Sequence, residues 1–450
     1  MIKNRQIFLT LFVIFCFLYV LRLSSISYSE LKPNQSYFLQ GRVSSIKNIS
    51  DKKVLLKLGR FHLFLTNIEK FPHFQRGDIL GVTGRLEKRV TNIFYHQLWL
   101  IEPDIKQIAP LDSSSFSFKV IYYQFLREID VFRVRLEEIF LRTLPDKEAS
   151  LLAGIVLGSQ KDLPFSFYHA LRQSGTLHLV VASGMNVTIL GKVVLDIFLK
   201  RFRRGTAVLA SLLCILIYTF LAGGEVPIVR AAIMGSLAFS AQVFGRQYWA
   251  GWALFLTLSL MLLIFPDLLF QVGFQLSAAA TAGLIFLSPQ VSRLFKTRLL
   301  GLVEADLTET VSAQAAVMPL LLAHFGQFNF LSVFPNVLVA ALVPLLMRLG
   351  GILLITGVVS QALAQVIAWL VWVPLRYMVL VIEFFGQMSW LILEWTWPWW
   401  LVFGYWTSLA LLSAFADKPV DECDTADTLR SPASPARSAA RRAGRLGEGG

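Results

Sequence analysis

Hydrophobic and polar positions follow two rhythms along this chain. Over residues 31–110 they alternate at period two, the mark of half-buried strands. The alternation predicts strands at 37–47, 53–58, 61–66, 78–88 and 93–101. Gly59-Arg60 reads as a tight hairpin, and Gly77, Gly81 and Gly84 as a turn and bends in a curled strand. Five short strands in so short a stretch suit a small closed barrel. An OB-fold is the natural candidate, and a generic all-β extracytoplasmic module fits the same periodicity.

Elsewhere the rhythm is one of long apolar runs. A run of ~20 such residues crosses the bilayer's apolar core, which is roughly 30 Å thick. Runs at 7–23, 179–199, 205–222, 227–244, 249–265, 268–287, 308–324, 331–347, 350–373 and 397–415 predict about ten spans. The first could be a signal peptide, but no small-residue cleavage site follows it, and an uncleaved anchor with its N-terminus inside is favoured. Residues 149–159 are apolar but too few to cross at ~1.5 Å per residue, so a re-entrant or broken segment with Gly154 and Gly158 is expected. Residues 120–141 form a charged amphipathic helix, lying at the interface or on the bundle. Residues 374–396, amphipathic and Trp-rich, suggest a helix in the outer interface.

The fold class is therefore a polytopic α-helical membrane protein of about ten transmembrane helices with an inserted small all-β, OB-fold-like domain. Its parts are an anchor (1–30), the extracytoplasmic β-domain (31–110), a linker with the amphipathic helix (111–148), a transmembrane domain (149–415) and a polar tail (416–450) whose composition reads as disordered.

Composition supports this division. Hydrophobic residues make up 55% and charged residues 16%, against about a quarter charged in ordinary globular chains, which excludes a soluble enzyme of the usual kind. The formal net charge is +13. Lys200, Arg201, Arg203, Arg204, Arg246, Arg293, Lys296, Arg298 and Arg348 fall in loops on one side if the spans alternate strictly, which puts both termini in the cytoplasm. The same topology puts residues 31–110 outside, where the positive-inside rule does not explain 13 Lys or Arg against six acids. Aromatic residues interleave with these cations. Lys47, Lys53, Lys57, Arg60, Phe61, Phe64, Lys88, Arg89 and Tyr95 are the candidate groove of a single-strand nucleic-acid binder, cations tracking phosphates and rings stacking on bases. The competing reading has the rings fill the barrel and the lysines solvate it. Cys16, Cys214 and Cys423 suggest neither a disulfide framework nor a metal cluster.

Polar groups inside the apolar runs are few, and a charge at mid-membrane costs roughly 2.5 to 3.5 kcal/mol on insertion scales. The densest group is Gln173-Ser174-Gly175-Thr176-Leu177-His178, continuing through Ser183, Gly184 and Asn186. Small residues permit close approach or a helix break, while Ser, His and Asn offer hydrogen bonds to a hydrated path or to neighbouring helices. Arg230 stands in the first turn of a span, as a snorkelling side chain or a cation facing a pore or phosphate. Gln275, Gln314, His324 and Asn336 complete the inventory, and Pro319 inside a run frees backbone carbonyls that can line a cavity. A Ser183 nucleophile with His178 as base lacks an acid to orient the imidazole. No HExxH, CxxC pair, Walker-type loop or paired carboxylates appear, so no metal, cofactor or catalytic residue is assigned.

The stretch 174–190 resembles the central signature of the ComEC competence-protein family, inner-membrane DNA-uptake channels. Three further blocks resemble it in order: Val226-Pro227-Ile228-Val229-Arg230-Ala231-Ala232-Ile233-Met234, then Pro266-Asp267 with Gly273-Phe274-Gln275-Leu276-Ser277, then Gln314, Pro319, His324-Phe325-Gly326-Gln327-Phe328, Ser332, Pro335-Asn336 and Val343-Pro344. The resemblance covers residues 1 to about 415 and is to the form without a C-terminal metallo-β-lactamase-like domain, since no HxHxDH follows the last span. It implies transport of single-stranded DNA through the cytoplasmic membrane during natural transformation. The β-domain would bind the incoming strand, and the path would be lined by His178, Ser183, Asn186, Arg230, Gln275, Gln314 and Asn336, with breaks at Gly175, Gly184 and Pro319. At the position of Asn186 the family often has a histidine. The partners expected are single-stranded DNA, the lipid bilayer, a separate nuclease, a DNA receptor and a cytoplasmic helicase or motor. A transporter or lipid flippase for another substrate, a membrane-embedded serine hydrolase and a scaffold are the rival readings.

Overall fold

The structure, a computed structural model, describes residues 2–24, 36–50, 53–58, 61–66, 75–92, 95–109, 118–159, 163–180, 183–294, 304–388 and 392–416. Arg60 and the tail beyond 416 lie outside the described residues.

The period-two stretch folds as β1 (Ser36–Ser50), β2 (Lys53–Leu58), β3 (Phe61–Thr66), β4 (Ile79–Asn92) and β5 (Tyr95–Ala109). They close into a barrel in the order β1-β2-β3-β5-β4. β1 serves two neighbours, pairing with β4 through Ser36–Arg42 and with β2 from Val43 to Ser50, and its register with β2 shifts between Val43 and Ser45. Such a shift lets one strand bend around a small barrel. β3 and β5 run parallel and complete the ring. Side chains two apart on a strand share a face, and Leu56 with Leu58, and Leu80 with Val82, are buried together, beside Val43 and Leu63. Gly77, at φ 90°, makes the turn into β4.

The helices in chain order are α1 (Ile2–Ser24), then after the barrel α2 (Phe118–Thr143), α3 (Asp146–Leu157), α4 (Phe165–Gln173), α5 (Leu177–Val180), α6 (Gly184–Leu199), α7 (Arg204–Leu221), α8 (Val226–Val243), α9 (Ala250–Ile264), α10 (Val272–Phe286), α11 (Ser288–Leu294), α12 (Glu304–Phe325), α13 (Val333–Ala340), α14 (Val343–Val359), α15 (Gln361–Gly386) and α16 (Trp399–Ala416). β6 (Gln327–Asn329) and β7 (Ile392–Glu394) pair in a small antiparallel sheet. Residues up to Val402 form one compact unit and Phe403 begins a second, in which Phe403 meets Trp406 edge-on.

Of the ten expected spans, only some form single long helices, and Thr10–Arg22, Ala250–Ile264 and Trp399–Leu412 are apolar but shorter. Among the described residues four helices are long and apolar enough to cross a membrane: Leu177–Leu199, Arg204–Leu221, Val226–Val243 and Gln361–Gly386. Two bent pairs, Val272–Phe286 with Ser288–Leu294 and Phe330–Ala340 with Val343–Val359, raise the number to six if each is one span. The apolar runs are real but the backbone interrupts them. The run at 331–347 bends by 47° between α13 and α14. The run at 350–373 breaks at Ser360, whose extended backbone separates α14 from α15. The interfacial helix at 374–396 is also corrected: α15 continues through Pro374 to Gly386, and the Trp-rich residues after it include the strand β7.

The segment 149–159, expected to be re-entrant or broken, lies largely in helix α3, in which every residue from Glu148 to Leu157 is buried. Its Leu151, Leu152 and Ile155 sit in the main apolar core with residues of α14 and α15. It ends at Gly158, whose left-handed φ of 68° closes the last turn onto the carbonyls of Ala153 and Gly154. Around this core the outer faces are apolar. Leu209, Leu213 and Ile217 on α7 and Val366, Leu370 and Val373 on α15 are more than half exposed. A patch of that kind is tolerated where hydrocarbon, not water, is the solvent.

The amphipathic helix α2 turns apolar residues outward (Ile121, Tyr122, Phe125, Phe132), packs its other side on α3, α7 and α14, and reaches the turn before β4 through Arg127 and Asp130.

Candidate functional site

The turn between α4 and α6 is built by glycine and short hydroxyl side chains. Gly175 has φ 73°, and a Cβ there would come within 2.5 Å of the Ser332 Cβ. Only glycine lets this turn lie against the start of α13. Ser174 and Thr176 pair their buried hydroxyls at 2.7 Å. Asn329 then ties the turn down, its Nδ2 donating to the Gln173 carbonyl (2.6 Å) and its Oδ1 accepting from the Leu331 N–H (2.8 Å). His178 stands exposed beside it, with Nδ1 donating to the Gly175 carbonyl at 3.1 Å.

Ser183 is the residue before α6, yet its hydroxyl does not cap the helix. It donates to Asn186 Oδ1 at 3.1 Å, and Asn186 Nδ2 donates to the Ile155 carbonyl at 2.8 Å. Ile155 lies in the last turn of α3, where carbonyls have no intrahelical partner. The fully buried Asn186 thus caps α3 from the neighbouring helix. The buried ring of Tyr218 on α7 lies beside it.

Arg230 joins three helices. Pro227 begins α8 with its missing N–H where no intrahelical bond is needed, which puts Arg230 in the helix's early turns. Its Nη1 donates to the Ser277 carbonyl of α10. On the other side, a Cβ on Gly184 would lie 3.1 Å from the Ala231 Cβ and 3.8 Å from Arg230 Nη2, so the start of α6 leans on this turn. Arg230 Nε and Ser277 Oγ are buried without a hydrogen-bond partner among the described residues.

Gln275, on the same end of α10, accepts from His324 Nε2 at 2.7 Å and donates to the Leu269 carbonyl at 2.9 Å. The His324 imidazole meets Trp399 edge-on at 5.3 Å. Below this pair α10 and α12 touch closely: a Cβ on Gly283 would come within 2.5 Å of the Ser312 carbonyl oxygen. Pro319 is buried within α12, and Gln314 half-buried one turn before it. Asn336 is buried on α13, its Oδ1 without a partner among the described residues.

Of the candidate path residues, the structure joins Ser183 to Asn186, brings Gly184 against Arg230, binds Arg230 to the Ser277 carbonyl of α10, and binds Gln275 to His324 and the Leu269 carbonyl. His178 is held apart by its bond to Gly175. Gln314 and Asn336 make no hydrogen bond to the other candidates among the described residues. Ser183 and His178 are each committed elsewhere, so the hydrolase pair is not assembled. Among the described residues this group brings together neutral side-chain donors, backbone carbonyls and the cation Arg230. On the barrel, Lys47, Lys53, Lys57, Phe61, Phe64, Lys88, Arg89 and Tyr95 hold strand positions on β1 to β5, with Lys88 opposite Leu98 and Arg89 opposite Gln97. The sequence reading gave Asn329 no role in holding this turn, although an Asn between two aromatic residues at a helix boundary is a turn signal.

The family described as Competence protein matches residues 155–418, a stretch that holds all seven candidate path residues and leaves the barrel outside. ComE operon protein 3 of Bacillus subtilis (strain 168) is 30% identical over 196 residues, 43% of this chain and 25% of that protein. The uncharacterized protein YcaI of Escherichia coli (strain K12) is 26% identical over 146 residues, 30% of this chain and 19% of that protein. The matched segment thus spans a quarter or less of these relatives' length. No solved structure matches the chain.

Proposed function

The chain belongs to the competence protein family, and from that premise we propose that it takes up DNA by carrying a single strand through the cytoplasmic membrane. The observation that carries this reading is the family match over residues 155–418, which contains the seam around Arg230. His178, Ser183, Asn186, Arg230, Gln275, Gln314 and Asn336 line or border the path. Gly175, Gly184 and Pro319 supply the close approaches and freed backbone that admit it. Arg230 meets the phosphates as the seam's cation.

The barrel is read as an OB-fold that receives the strand. Its closed order β1-β2-β3-β5-β4 and the parallel β3–β5 pair support this, as do the cations on those strands. The passenger's pull comes from a cytoplasmic motor, its single-strandedness from a separate nuclease, and both termini face the cytoplasm.

Deleting the gene in the native host should abolish acquisition of marker DNA, and Arg230→Ala should do the same with the protein still present in the membrane. Normal uptake in both strains removes the reading and leaves a transporter or flippase for another substrate. Purified full-length protein should bind labelled single strands, with log affinity falling against log salt by about 0.7 per phosphate contacted. Salt-insensitive or absent binding makes the barrel a structural cap.

A further inference from the structure

The barrel is fastened to the bundle by charge. The turn Gln75–Asp78 that leads into β4 is rigid: Gly77 N–H donates to the Val43 carbonyl and Val43 N–H to the Asp78 carbonyl, both at 2.9 Å, and Gln75 N–H donates to Asp78 Oδ2 at 2.8 Å. Two residues of this turn cross two residues of α2. Arg127 pairs with Asp78 and donates through Nε to the Arg76 carbonyl at 2.8 Å, while Arg76 pairs with Asp130 at 3.1 Å. Each side thus offers one cation and one anion, in opposite order. A slide of one α2 turn would set like charges against each other, so the crossed pattern admits one register.

The same ridge of α2 continues to the turn before α8. One turn beyond Asp130, Arg133 pairs with Glu137 at 3.1 Å, both nearly buried. Arg133 Nη1 lies 3.3 Å from where a Cβ on Gly223 would stand. Gly223 is in the turn that opens α8, the helix carrying Arg230. Adjacent turns of one helix therefore touch the turn into β4 and the root of the Arg230 helix.

We propose that the crossed ion pairs Arg76–Asp130 and Asp78–Arg127 are positioning residues that hold the β-barrel in one register over the bundle, and that delivery of the strand to the seam requires this register. The second half rests on the transport reading above. The barrel does not swing to pass its strand on. It is aimed, and α2 is the strut that aims it.

A charge-exchange cycle at the more accessible pair tests this. In the full-length chain, Arg76→Asp and Asp130→Arg each set like charges together and should lower DNA uptake about ten-fold or more. The double variant Arg76→Asp/Asp130→Arg should return uptake to near the parent level. Single-strand binding by each purified variant should stay unchanged, because the barrel itself remains folded. Deuterium uptake at residues 75–78 should rise in the singles and fall back in the double. Parent-level uptake in the singles overturns the inference, as does a double variant no better than the singles. Loss of strand binding together with uptake also overturns it, since the charges would then hold the barrel's own fold. If the gene deletion leaves uptake untouched, the transport reading fails, and deuterium uptake at residues 75–78 across the exchange cycle still decides the register.

Discussion

The barrel and the helical bundle place their polar groups on opposite sides. In the barrel Val43, Leu56, Leu63, Leu80 and Val82 are wholly enclosed and the strands' described outer positions include the 63%-exposed Phe38 and polar Gln40 and Thr83. In the bundle Ser174, Thr176, Asn186, Ser211 and Ser312 are enclosed while leucines and valines cover the outside. The barrel obeys the rule for water, where burying apolar surface drives folding. The bundle obeys the rule for hydrocarbon, where apolar outer surface is free of penalty and each polar group must find a partner inside. The lesson concerns Asn186 and Arg230. They donate to the carbonyls of Ile155 and Ser277, so these polar groups knit helices together.

Substitutions can break this contrast. Leu63→Ala opens a cavity in the barrel core and should cost about 2–5 kcal/mol, seen as faster hydrogen exchange on β2 and β3. Leu213→Lys, at the middle of α7 on its 56%-exposed face, should cost roughly 2.5 to 3.5 kcal/mol of insertion, read as a smaller membrane-integrated fraction. A soluble protein would tolerate that change, so an unaltered fraction would show that α7 does not face lipid. Asn186→Leu leaves the Ile155 carbonyl buried without its donor and should cost about 1–3 kcal/mol, measured by thermal unfolding in detergent. The smallest effect sharpens the comparison most. Leu370→Ala on the outer face of α15 should shift stability by no more than about 0.5 kcal/mol, although the same deletion at Leu63 is severe.

The two regions also differed in how plainly they could be read. β2 and β3 fall at 53–58 and 61–66 as their alternation predicts, because each residue of a small barrel strand faces either core or water. β5 runs on to Ala109, past the expected 101, since Ile79 and Leu80 at the start of β4 offer it partners that local alternation does not reveal. In the bundle, apolar runs told where hydrocarbon-compatible chain lies but not where it bends. Ser360 looks like any polar residue in a greasy run, and only neighbouring helices decide that the backbone opens there. Pro374 looks like a stop and is not one.

The residues alone determine the partition of this chain into a strand-built basic module and a lipid-compatible helical body, because period and hydropathy are local properties. They also expose the polar intruders Ser183, Asn186, Arg230 and Gln275, which are rare in such surroundings. The tertiary structure decided what those intruders hold. Most of their partners are backbone carbonyls, which every residue carries and no sequence pattern marks. It likewise decided that α3 is the centre of the body and that Arg76 and Asp78 meet Asp130 and Arg127, contacts between segments far apart along the chain.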